Sequence, residues 1–286
     1  MIIIVNTNIY YPGRIGHTVA EETIIPGEED VDRFDRAKRI GWLDMKAIAG
    51  AKVLMVGAGA IGNEVGKNLV LSGFRNITVV DMDRVVNSNL ARCLFFQEID
   101  ATERGLKAEI VAAGMRKLDS KVRVKAITST IQEQGENFIG RFSLVLGCLD
   151  NVLARLYINS HCCHFGVPYI DGAMDGFRGK VQVVIPPDTP CLECGMNRSH
   201  SRIVEQRFSC TGNDVSVFIP KIAADITTTS VIGALQVREA MKLMSGKSEN
   251  CISNVAYYDG LSGSLDILEI EKNSDCLNHA LPALKY

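Results

Sequence analysis

Residues 53–62 read Val53-Leu54-Met55-Val56-Gly57-Ala58-Gly59-Ala60-Ile61-Gly62. The four apolar residues at the start of this stretch predict a strand that is buried on both faces. The three glycines have the spacing GxGxxG, which lets a backbone approach phosphates closely, and the helix that should follow offers N–H groups and the positive end of its dipole. Asp81 lies 19 residues past Gly62, where a carboxylate can bind ribose hydroxyls. The stretch therefore predicts a nucleotide site, and by itself it fits NAD as well as ATP.

Strand-like and helix-like segments alternate along the rest of the chain. The predicted strands are 53–56, 77–80, 122–127, 144–147, 167–170 and 181–185. The predicted helices are 30–49, 60–72, 107–118 and a long one from 227 to about 245. This alternation is typical of an α/β fold with a doubly wound, mainly parallel, Rossmann-like sheet. We expect the sheet to end in a C-terminal antiparallel portion.

The composition is that of an ordinary soluble globular protein. The chain has 286 residues, 47% hydrophobic and 22% charged, and its net charge of −2 gives no electrostatic reason to expect nucleic acid as a partner. The apolar run at residues 1–5 is too short for a signal peptide, and no apolar stretch is long enough to span a bilayer. Nine cysteines, an odd number, suit a reducing compartment. We therefore expect a cytoplasmic protein without membrane or nucleic-acid partners.

Polar side chains follow the predicted strands, at the sheet edge where ligands of α/β folds bind. Those that could serve a nucleotide are Asp81, Asp83, Asn89, Arg92, Lys107, Asp150 and Asn151. A hydride-transfer site needs no such cluster, whereas a triphosphate needs cations and a metal ligand. Asp150 suits Mg²⁺, and Arg92 and Lys107 suit phosphate. Each residue singly has an ordinary explanation as a surface cation, a solvated helix residue or a helix cap, but their convergence favours ATP.

Two pairs of metal-type ligands lie in the second half of the chain. Cys191 and Cys194 form one pair, and Cys276 and His279 form the other. Together they would make a closed tetrahedral Cys3His site, which is typical of structural Zn²⁺. The alternative is that Cys276 and His279 are ordinary residues of the C-terminal tail.

A further run, His161-Cys162-Cys163-His164, resembles a second metal cluster. Adjacent residues on a helix point in different directions, however, and this segment has the apolar spacing of a core helix. We interpret the run as structural, and we expect Cys148 and Cys251 to be core residues as well.

Nearly the whole chain, from about Asp32 to His279, resembles the ubiquitin-activating enzyme superfamily, which includes the enzymes that activate the sulfur carriers of molybdopterin and thiamine synthesis. The motifs that carry the resemblance are Arg33-Phe34-Asp35-Arg36, the glycine loop, Asp81-x-Asp83, Ser88-Asn89-Leu90-x-Arg92, Lys107-Ala108, Cys148-Leu149-Asp150-Asn151 with Arg155, Gly176-Phe177-Arg178-Gly179, Cys191-x-x-Cys194 and Tyr258-Asp259-Gly260-Leu261. The apolar run that opens the chain predicts an N-terminal strand or extension at 1–30, and the resemblance implies one adenylation domain of the ThiF and MoeB type at 31–286. The same resemblance implies a homodimer that binds ATP and Mg²⁺ and adenylates the C-terminal glycine of a small ubiquitin-like protein ending in Gly-Gly.

The resemblance also implies roles for individual residues. These are ribose binding by Asp81, phosphate binding by Arg92 and Lys107, Mg²⁺ binding by Asp150, and contact of Arg36 with the ATP of the partner subunit. Two positions depart from the family pattern: Cys93 replaces a usual glutamine, and His279 replaces a usual cysteine. Histidine is an acceptable zinc ligand, so we still expect Zn²⁺.

The loop at about 195–226 contains Cys210, within Phe208-Ser209-Cys210-Thr211-Gly212, where relatives that form a thioester have their nucleophile. A reactive thiol needs exposure and a lowered pKa, and Arg207 is a nearby cation. We expect adenylation, thioester formation on Cys210 and transfer to a conjugating enzyme, with a passive loop cysteine as the plainer alternative. The main alternative function is activation of a sulfur carrier for molybdopterin, thiamine or tRNA thiolation. A tRNA-modifying dehydratase of the superfamily, an NAD-dependent oxidoreductase and a catalytically silent scaffold subunit are more distant alternatives.

Overall fold

The computed structural model describes residues 29–196 and 223–280 of the chain. The chain divides into two units, Met1–Leu43 and Asp44–Tyr286. In the first unit, helix α1 spans Asp35–Lys38. Arg39 Nη2 lies 2.9 Å from Asp35 Oδ2, which ties the end of this short helix to its first turn.

The prediction of one helix over residues 30–49 is wrong. Residues 29–34 are not helical, α1 ends at Lys38, and the next helix, α2, spans Met45–Gly50. Asp44 Oδ1 accepts hydrogen bonds from the amides of Lys46 and Ala47 at 3.0 and 2.9 Å. An aspartate in this position starts a new helix instead of continuing an old one, and Gly41 in the gap has a poor helix propensity.

A single sheet forms the frame of the second unit. Its strands are β1 (Lys52–Val56), β2 (Asn76–Val80), β3 (Arg123–Ile127), β4 (Leu144–Gly147), β5 (Tyr169–Asp175), β6 (Arg178–Val184), β7 (Val255–Asp259) and β8 (Ser264–Leu268). Among the described residues they lie in the order β3-β2-β1-β4-β5-β6-β7-β8. The pairs from β3 to β5 are parallel, and those from β5 to β8 are antiparallel. The predicted fold class, a mainly parallel Rossmann-like sheet with a C-terminal antiparallel portion, is confirmed.

Helices cover both faces of this sheet. After α2 they are α3 (Ala60–Leu71), α4 (Glu98–Thr102), α5 (Lys107–Leu118), α6 (Val152–Phe165), α7 (Ile226–Met244) and α8 (Leu277–Ala280). Helix α6 packs on β4 and β5, in a core that includes Leu54, Val145 and Ile158. Helix α7 packs against α3 and covers the opposite face of β5, where Gln236 lies against Gly172. In the part of the chain that the structure describes, every helix is too short or too polar to cross a membrane.

The strand boundaries differ from the predicted ones by a few residues. β3 begins at Arg123, one residue later than predicted. β5 begins after Pro168, which has no N–H to donate to a neighbouring strand. β5 and β6 both extend beyond the predicted segments because they form a hairpin, with Gly176 at φ 60° in the turn between them.

The glycine loop, residues 57–62, needs glycine where its backbone passes close to a neighbour. Gly57 has a φ of 100°, and a Cβ there would overlap the carbonyl group of Cys148. A Cβ on Gly62 would overlap the carbonyl oxygen of Gly57. A Cβ on Gly59, in contrast, would meet no neighbouring group within 4 Å. The protein's own packing therefore accounts for two of the three glycines, whereas Gly59 is the N-cap of α3, a position that glycine favours, and the space beside it is open.

Substitution of these glycines by alanine should separate folding from binding. Because the new methyl group would collide with backbone, Gly62→Ala should lower the free energy of unfolding by about 1–3 kcal/mol or more. Gly59→Ala should lower it by less than about 1 kcal/mol, because the methyl group meets open space and only the preference for glycine at the N-cap of α3 is lost. Urea unfolding followed by circular dichroism measures both. Equal stabilities for the two variants would contradict the packing described for this loop.

Candidate functional site

The candidate nucleotide site lies where the sheet changes its direction of winding. The chain adds β2 and β3 on one side of β1, and then adds β4 and β5 on the other. The loops that follow β1 and β4 diverge from each other, and the crevice between such loops is where ligands of open α/β sheets bind. Gly57 N donates to Val80 O, and Cys148 N donates to Val56 O, both at 2.8 Å. These bonds fix both loops at their origin.

Asp81 leaves the end of β2 and lies beside the glycine loop. Its Oδ2 accepts a hydrogen bond from the amide of Ala58 at 2.6 Å, and its Oδ1 accepts one from the amide of Asp83 at 2.8 Å. Burial raises the pKa of the Asp81 carboxyl above its ordinary value, while these hydrogen bonds and the charge of Lys107 oppose the rise. The carboxylate is thus oriented next to the first turn of α3, where a side chain that binds the ribose of a nucleotide would have to lie.

The two candidate phosphate-binding cations lie near one another. Lys107 begins α5, and its Nζ donates to Asp83 Oδ2 at 2.8 Å, with 12% of the lysine side chain exposed. Arg92 Nη1 donates to the backbone oxygen of Ser88 at 2.6 Å. Burial raises the pKa of the Cys93 thiol to about 11, and the positive charges of Arg92 and Lys107 oppose that rise. A phosphate group entering here would have to compete with Asp83 for Lys107.

The two candidate amide side chains are used to hold their own turns. Asn89 is buried, and its Oδ1 accepts from the amide of Val86 at 3.1 Å. Asn151 Oδ1 accepts from the amides of Leu153 and Ala154 at 2.9 and 3.4 Å, which caps α6. Asp150 precedes this cap, exposed at the carboxyl end of β4. The Nδ2 group of each asparagine could donate a hydrogen bond to a nucleotide while its Oδ1 holds the turn.

The sequence analysis gave no role to two buried side chains beside the site. Asp171 on β5 is fully buried and pairs with Arg155 of α6, whose Nε donates to Asp171 Oδ1 at 2.9 Å and whose Nη2 contacts Oδ2. Gln236 of α7 reaches the sheet, where its Nε2 donates to Gly147 O at 2.9 Å and to Ile170 O at 3.0 Å. The signal for Asp171 was a carboxylate within an apolar strand. Gln236 lies on a mainly apolar helix and gives no comparable signal.

The four predicted metal ligands come together, and their ligand atoms all lie within 4.8 Å of one another. Cys191 Sγ is 3.9 Å from Cys194 Sγ and 3.6 Å from Cys276 Sγ, and His279 Nε2 is 3.1 Å from Cys194 Sγ. Tetrahedral ligands at Zn–S distances of about 2.3 Å lie about 3.8 Å apart. We call these four residues the metal cluster. Their geometry fits Zn²⁺ and excludes the interpretation of Cys276 and His279 as unrelated tail residues.

Further polar groups surround the metal cluster. The hydrogen bond with Cys163 is the largest cause that lowers the pKa of the Cys191 thiol, and Asn159 and Asn278 add to the effect. Asn278 Nδ2 lies 3.5 Å from Cys191 Sγ and donates to Glu193 Oε1 at 2.8 Å. Outer groups of this kind orient the ligands of a metal.

The interpretation of residues 161–164 as part of a core helix is confirmed, because they lie in α6 with Cys162 and Cys163 buried. Cys163 lies in the same buried core cluster as Cys191 and Cys276, which the sequence did not indicate. Cys148 is buried as expected. The expectation that Cys251 is a core residue is wrong: it is only half-buried, because it follows a short 3-10 turn, where its thiol contacts the backbone oxygens of Glu239 and Lys247.

Two predicted site residues are not brought into this site by the structure. Cys210 lies outside the described residues. Arg36 belongs to the first unit, where its Nε lies 4.0 Å from Asp30 Oδ1. Both therefore remain predictions from the sequence.

A Rossmann-like sheet with a glycine loop at its switch point defines the fold class, an α/β protein with a candidate nucleotide site, and the Cys3His cluster could hold a metal ion. The ThiF family model matches residues 33–278, and the chain belongs to the ThiF family. It is 34% identical over 181 residues to the NEDD8-activating enzyme E1 catalytic subunit of Caenorhabditis elegans, covering 57% of this chain and 42% of the relative. It is 37% identical over 159 residues to SUMO-activating enzyme subunit 2 of Dictyostelium discoideum, covering 54% of this chain and 23% of the relative. The chain thus spans less than half the length of these two relatives.

Solved structures share the fold. A crystal structure of E. coli MccB with ATP superimposes with a TM-score of 0.70 at 20% identity, covering 90% of this chain and 77% of that one. A crystal structure of E. coli MccB with SeMet MccA gives a TM-score of 0.70 at 21% identity, with the same coverage of both chains. At this identity the likeness extends to the fold alone.

The metal cluster yields a direct prediction. Cys191→Ser and Cys276→Ser should each release bound zinc and lower the melting temperature by about 10 °C, because the binding free energy of a structural metal is part of the folding free energy. His279→Cys should keep zinc, since a fourth thiolate completes the same tetrahedron.

Cys251→Ser removes a thiol outside the cluster and serves as the control, with full zinc content expected. Metal analysis of protein purified without chelator, together with thermal melts, measures both quantities. Zinc-free wild-type protein would exclude the site.

Proposed function

We propose that this chain activates a small ubiquitin-like protein by ATP-dependent adenylation of that protein's C-terminal glycine. The observation that carries the proposal is the convergence of Asp81, Lys107 and Arg92 beside a glycine loop whose Gly59 no neighbouring group requires. Membership of the ThiF family supports it. The relatives that are named as NEDD8- and SUMO-activating enzymes point to the same chemistry.

In the proposed reaction, the carboxylate of the carrier attacks the α-phosphate of ATP, and the acyl-adenylate and pyrophosphate are formed. The protein's task in this step is positioning and charge neutralisation. Arg92 and Lys107 would neutralise phosphate oxygens, and Asp81 would orient the ribose. Asp150 would hold Mg²⁺, which screens the charge of the leaving pyrophosphate. The exposed position of Asp150 at the end of β4 leaves its carboxylate accessible to a hydrated metal ion.

Elimination among the cysteines favours Cys210 for thioester formation. Three of the nine cysteines belong to the metal cluster. Burial raises the pKa of Cys93 to about 11 and the pKa of Cys251 to about 12, and it raises the pKa of Cys148 as well. Cys162 and Cys163 are buried in α6. A nucleophile needs an accessible thiolate, so Cys210 is the remaining candidate, and it would pass the acyl group to a conjugating enzyme.

Activation of a sulfur carrier shares the adenylation step with this proposal, and differs from it in having no thioester on Cys210. The relatives named for NEDD8 and SUMO favour the first function. Hydride transfer by an oxidoreductase does not require the cations Arg92 and Lys107. A scaffold subunit without catalytic activity does not require a Mg²⁺ ligand such as Asp150. We place the protein in the cytoplasm, where reduced thiols persist.

The proposed enzyme is a homodimer in which Arg36 acts on the ATP of the partner subunit. The motif Arg33-x-x-Arg36 supports this arrangement. Mixing Arg36→Ala protein with Asp150→Ala protein, each inactive alone, should restore part of the adenylation activity, because one of the two sites in a mixed dimer is intact. Verified mixed dimers without activity would contradict a shared site.

Two mutations should separate the two chemical steps. Asp150→Ala should reduce ATP–pyrophosphate exchange, measured with a carrier ending in Gly-Gly, by about 100-fold, because a group that stabilises charge in the transition state is lost. Asp188→Ala, which removes an exposed carboxylate from a turn outside the site, should leave exchange unchanged. Exchange by Asp150→Ala at the wild-type rate would contradict the role of Asp150.

Cys210→Ala should retain exchange and lose a carrier adduct that is sensitive to thiol reductants, whereas Cys93→Ala should retain the adduct. Mass spectrometry of the intact protein, with and without reductant, detects the adduct. Its persistence in Cys210→Ala would move the nucleophile to another cysteine. Exchange without any adduct in the wild type would favour the sulfur-carrier function.

A further inference from the structure

A buried ion pair connects the start of α6 to the middle of the sheet. Arg155 lies at the end of the first turn of α6, five residues after Asp150, and its guanidinium contacts both carboxylate oxygens of Asp171. Tyr169 OH donates to Asp171 Oδ1 at 2.9 Å. Burial alone would raise the pKa of the Asp171 carboxyl, but Arg155 outweighs that effect, and the pKa lies below its ordinary value. The pair therefore stays ionised, and it ties the first turn of α6 to β5.

Gln182 stands beside this pair on the neighbouring strand. It is directly opposite Asp171 in the antiparallel register of β5 and β6, so the two side chains project from the same face of the sheet. Only 1% of Gln182 is exposed. Its Oε1 accepts a hydrogen bond from Lys180 Nζ at 3.2 Å, and its Nε2 donates to the backbone oxygen of Cys191 at 3.3 Å. Cys191 is a ligand of the metal cluster.

Lys180 completes the connection. It lies two residues before Gln182 on the same face of β6, opposite Ala173, and burial lowers the pKa of its ammonium while the charge of Asp171 opposes that effect. The buried Asp171 carboxylate thus contacts Arg155 and also experiences the charge of Lys180. If the Gln182 amide turned over, its N–H groups would face the Lys180 ammonium and its oxygen would face the Cys191 carbonyl. Both contacts would be repulsive, so the groups at the two ends determine the orientation of the amide.

We propose that Gln182 is a positioning residue that couples the metal cluster to Asp150, through Lys180 and the Arg155–Asp171 pair. The inference rests on the proposed function, because it assigns Asp150 to Mg²⁺. When the cluster holds its metal, the Cys191 carbonyl is fixed, the Gln182 amide is fixed with it, and Asp171 keeps the orientation that Arg155 requires. The metal cluster would then support Mg²⁺ binding at a distance, in addition to stabilising the fold.

The coupling is tested in the metal-loaded full-length protein with three variants. Gln182→Leu removes both hydrogen bonds at similar volume, and Arg155→Lys weakens the grip on Asp171. Gln134→Leu is the matched control, because Gln134 is a half-buried glutamine with two side-chain hydrogen bonds, to Ser129 Oγ and Thr130 O, outside the connection. The measurements are metal content, the Mg²⁺ concentration that half-saturates binding of a fluorescent ATP analogue, and hydrogen exchange of the peptide covering residues 151–156.

Gln182→Leu should keep its full metal content, raise the half-saturating Mg²⁺ concentration at least threefold and increase hydrogen exchange at residues 151–156. Gln134→Leu should change none of these. Because Gln182 and Arg155 act through one connection, the double variant should be no worse than the more affected single variant. A double effect equal to the product of the single effects would overturn the coupling, and so would unchanged exchange or unchanged Mg²⁺ dependence in Gln182→Leu.

If Gln182→Leu does not fold, Lys180→Met is used in its place. This change removes only the hydrogen bond from Lys180 to Gln182, at the half-exposed end of the connection. The expected and contradicting results are the same as for Gln182→Leu. Failure of the coupling differs from failure of the proposed function. A wild-type protein that binds no ATP analogue at any Mg²⁺ concentration would contradict both the proposed function and the coupling. If the wild-type protein binds the analogue and Gln182→Leu behaves like the wild type, only the coupling is contradicted.

Discussion

The backbone of Gly57 lies directly against the carbonyl group of Cys148, and the candidate site depends on this close approach. β1 and β4 can lie side by side, and still send their loops in opposite directions, only if the first residue after β1 has no Cβ. Gly62, in the first turn of α3, also has no room for a Cβ, because the helix passes close to the carbonyl oxygen of Gly57. The crevice that results is lined by backbone amides and the start of α3, a surface suited to phosphate before any side chain is considered.

Charge is then placed around that crevice by elements of the sheet. Asp81 comes from β2, Lys107 from the start of α5 and Asp150 from the end of β4, so each charged group stands on a strand end or a helix terminus and not on a long loop. Sites on regular elements hold their geometry better than sites on loops. The metal cluster serves a related purpose in the antiparallel half, where it joins the turn at Cys191 to the C-terminal α8 and lies against α6. Helix α6 therefore meets the metal cluster along its length and carries Asp150 immediately before its first turn.

The sequence was sufficient for those parts of the molecule that rest on local pattern. Apolar runs followed by glycine, such as Val53 to Gly57, identified the parallel strands, and two short ligand pairs identified the metal cluster. The helix over residues 30–49 was mispredicted because capping by Asp44 outweighs the average helix propensity. The Asp171–Arg155 pair and the reach of Gln236 into the sheet could not be predicted, since they join residues 16 or more positions apart through pairing geometry that no local pattern records. Cys163 illustrates the same limit: its place on a core helix was predictable, whereas its contact with Cys191 depends on how two distant segments pack.

The central claim is that the switch point between β1 and β4 binds ATP with Mg²⁺ and not a dinucleotide. Isothermal titration calorimetry of the wild-type protein with ATP and with NAD, each with and without Mg²⁺, tests it most directly. The account predicts that ATP binds with one site per chain, that removal of Mg²⁺ weakens the binding, and that NAD neither binds nor competes. Binding of NAD without binding of ATP would contradict it.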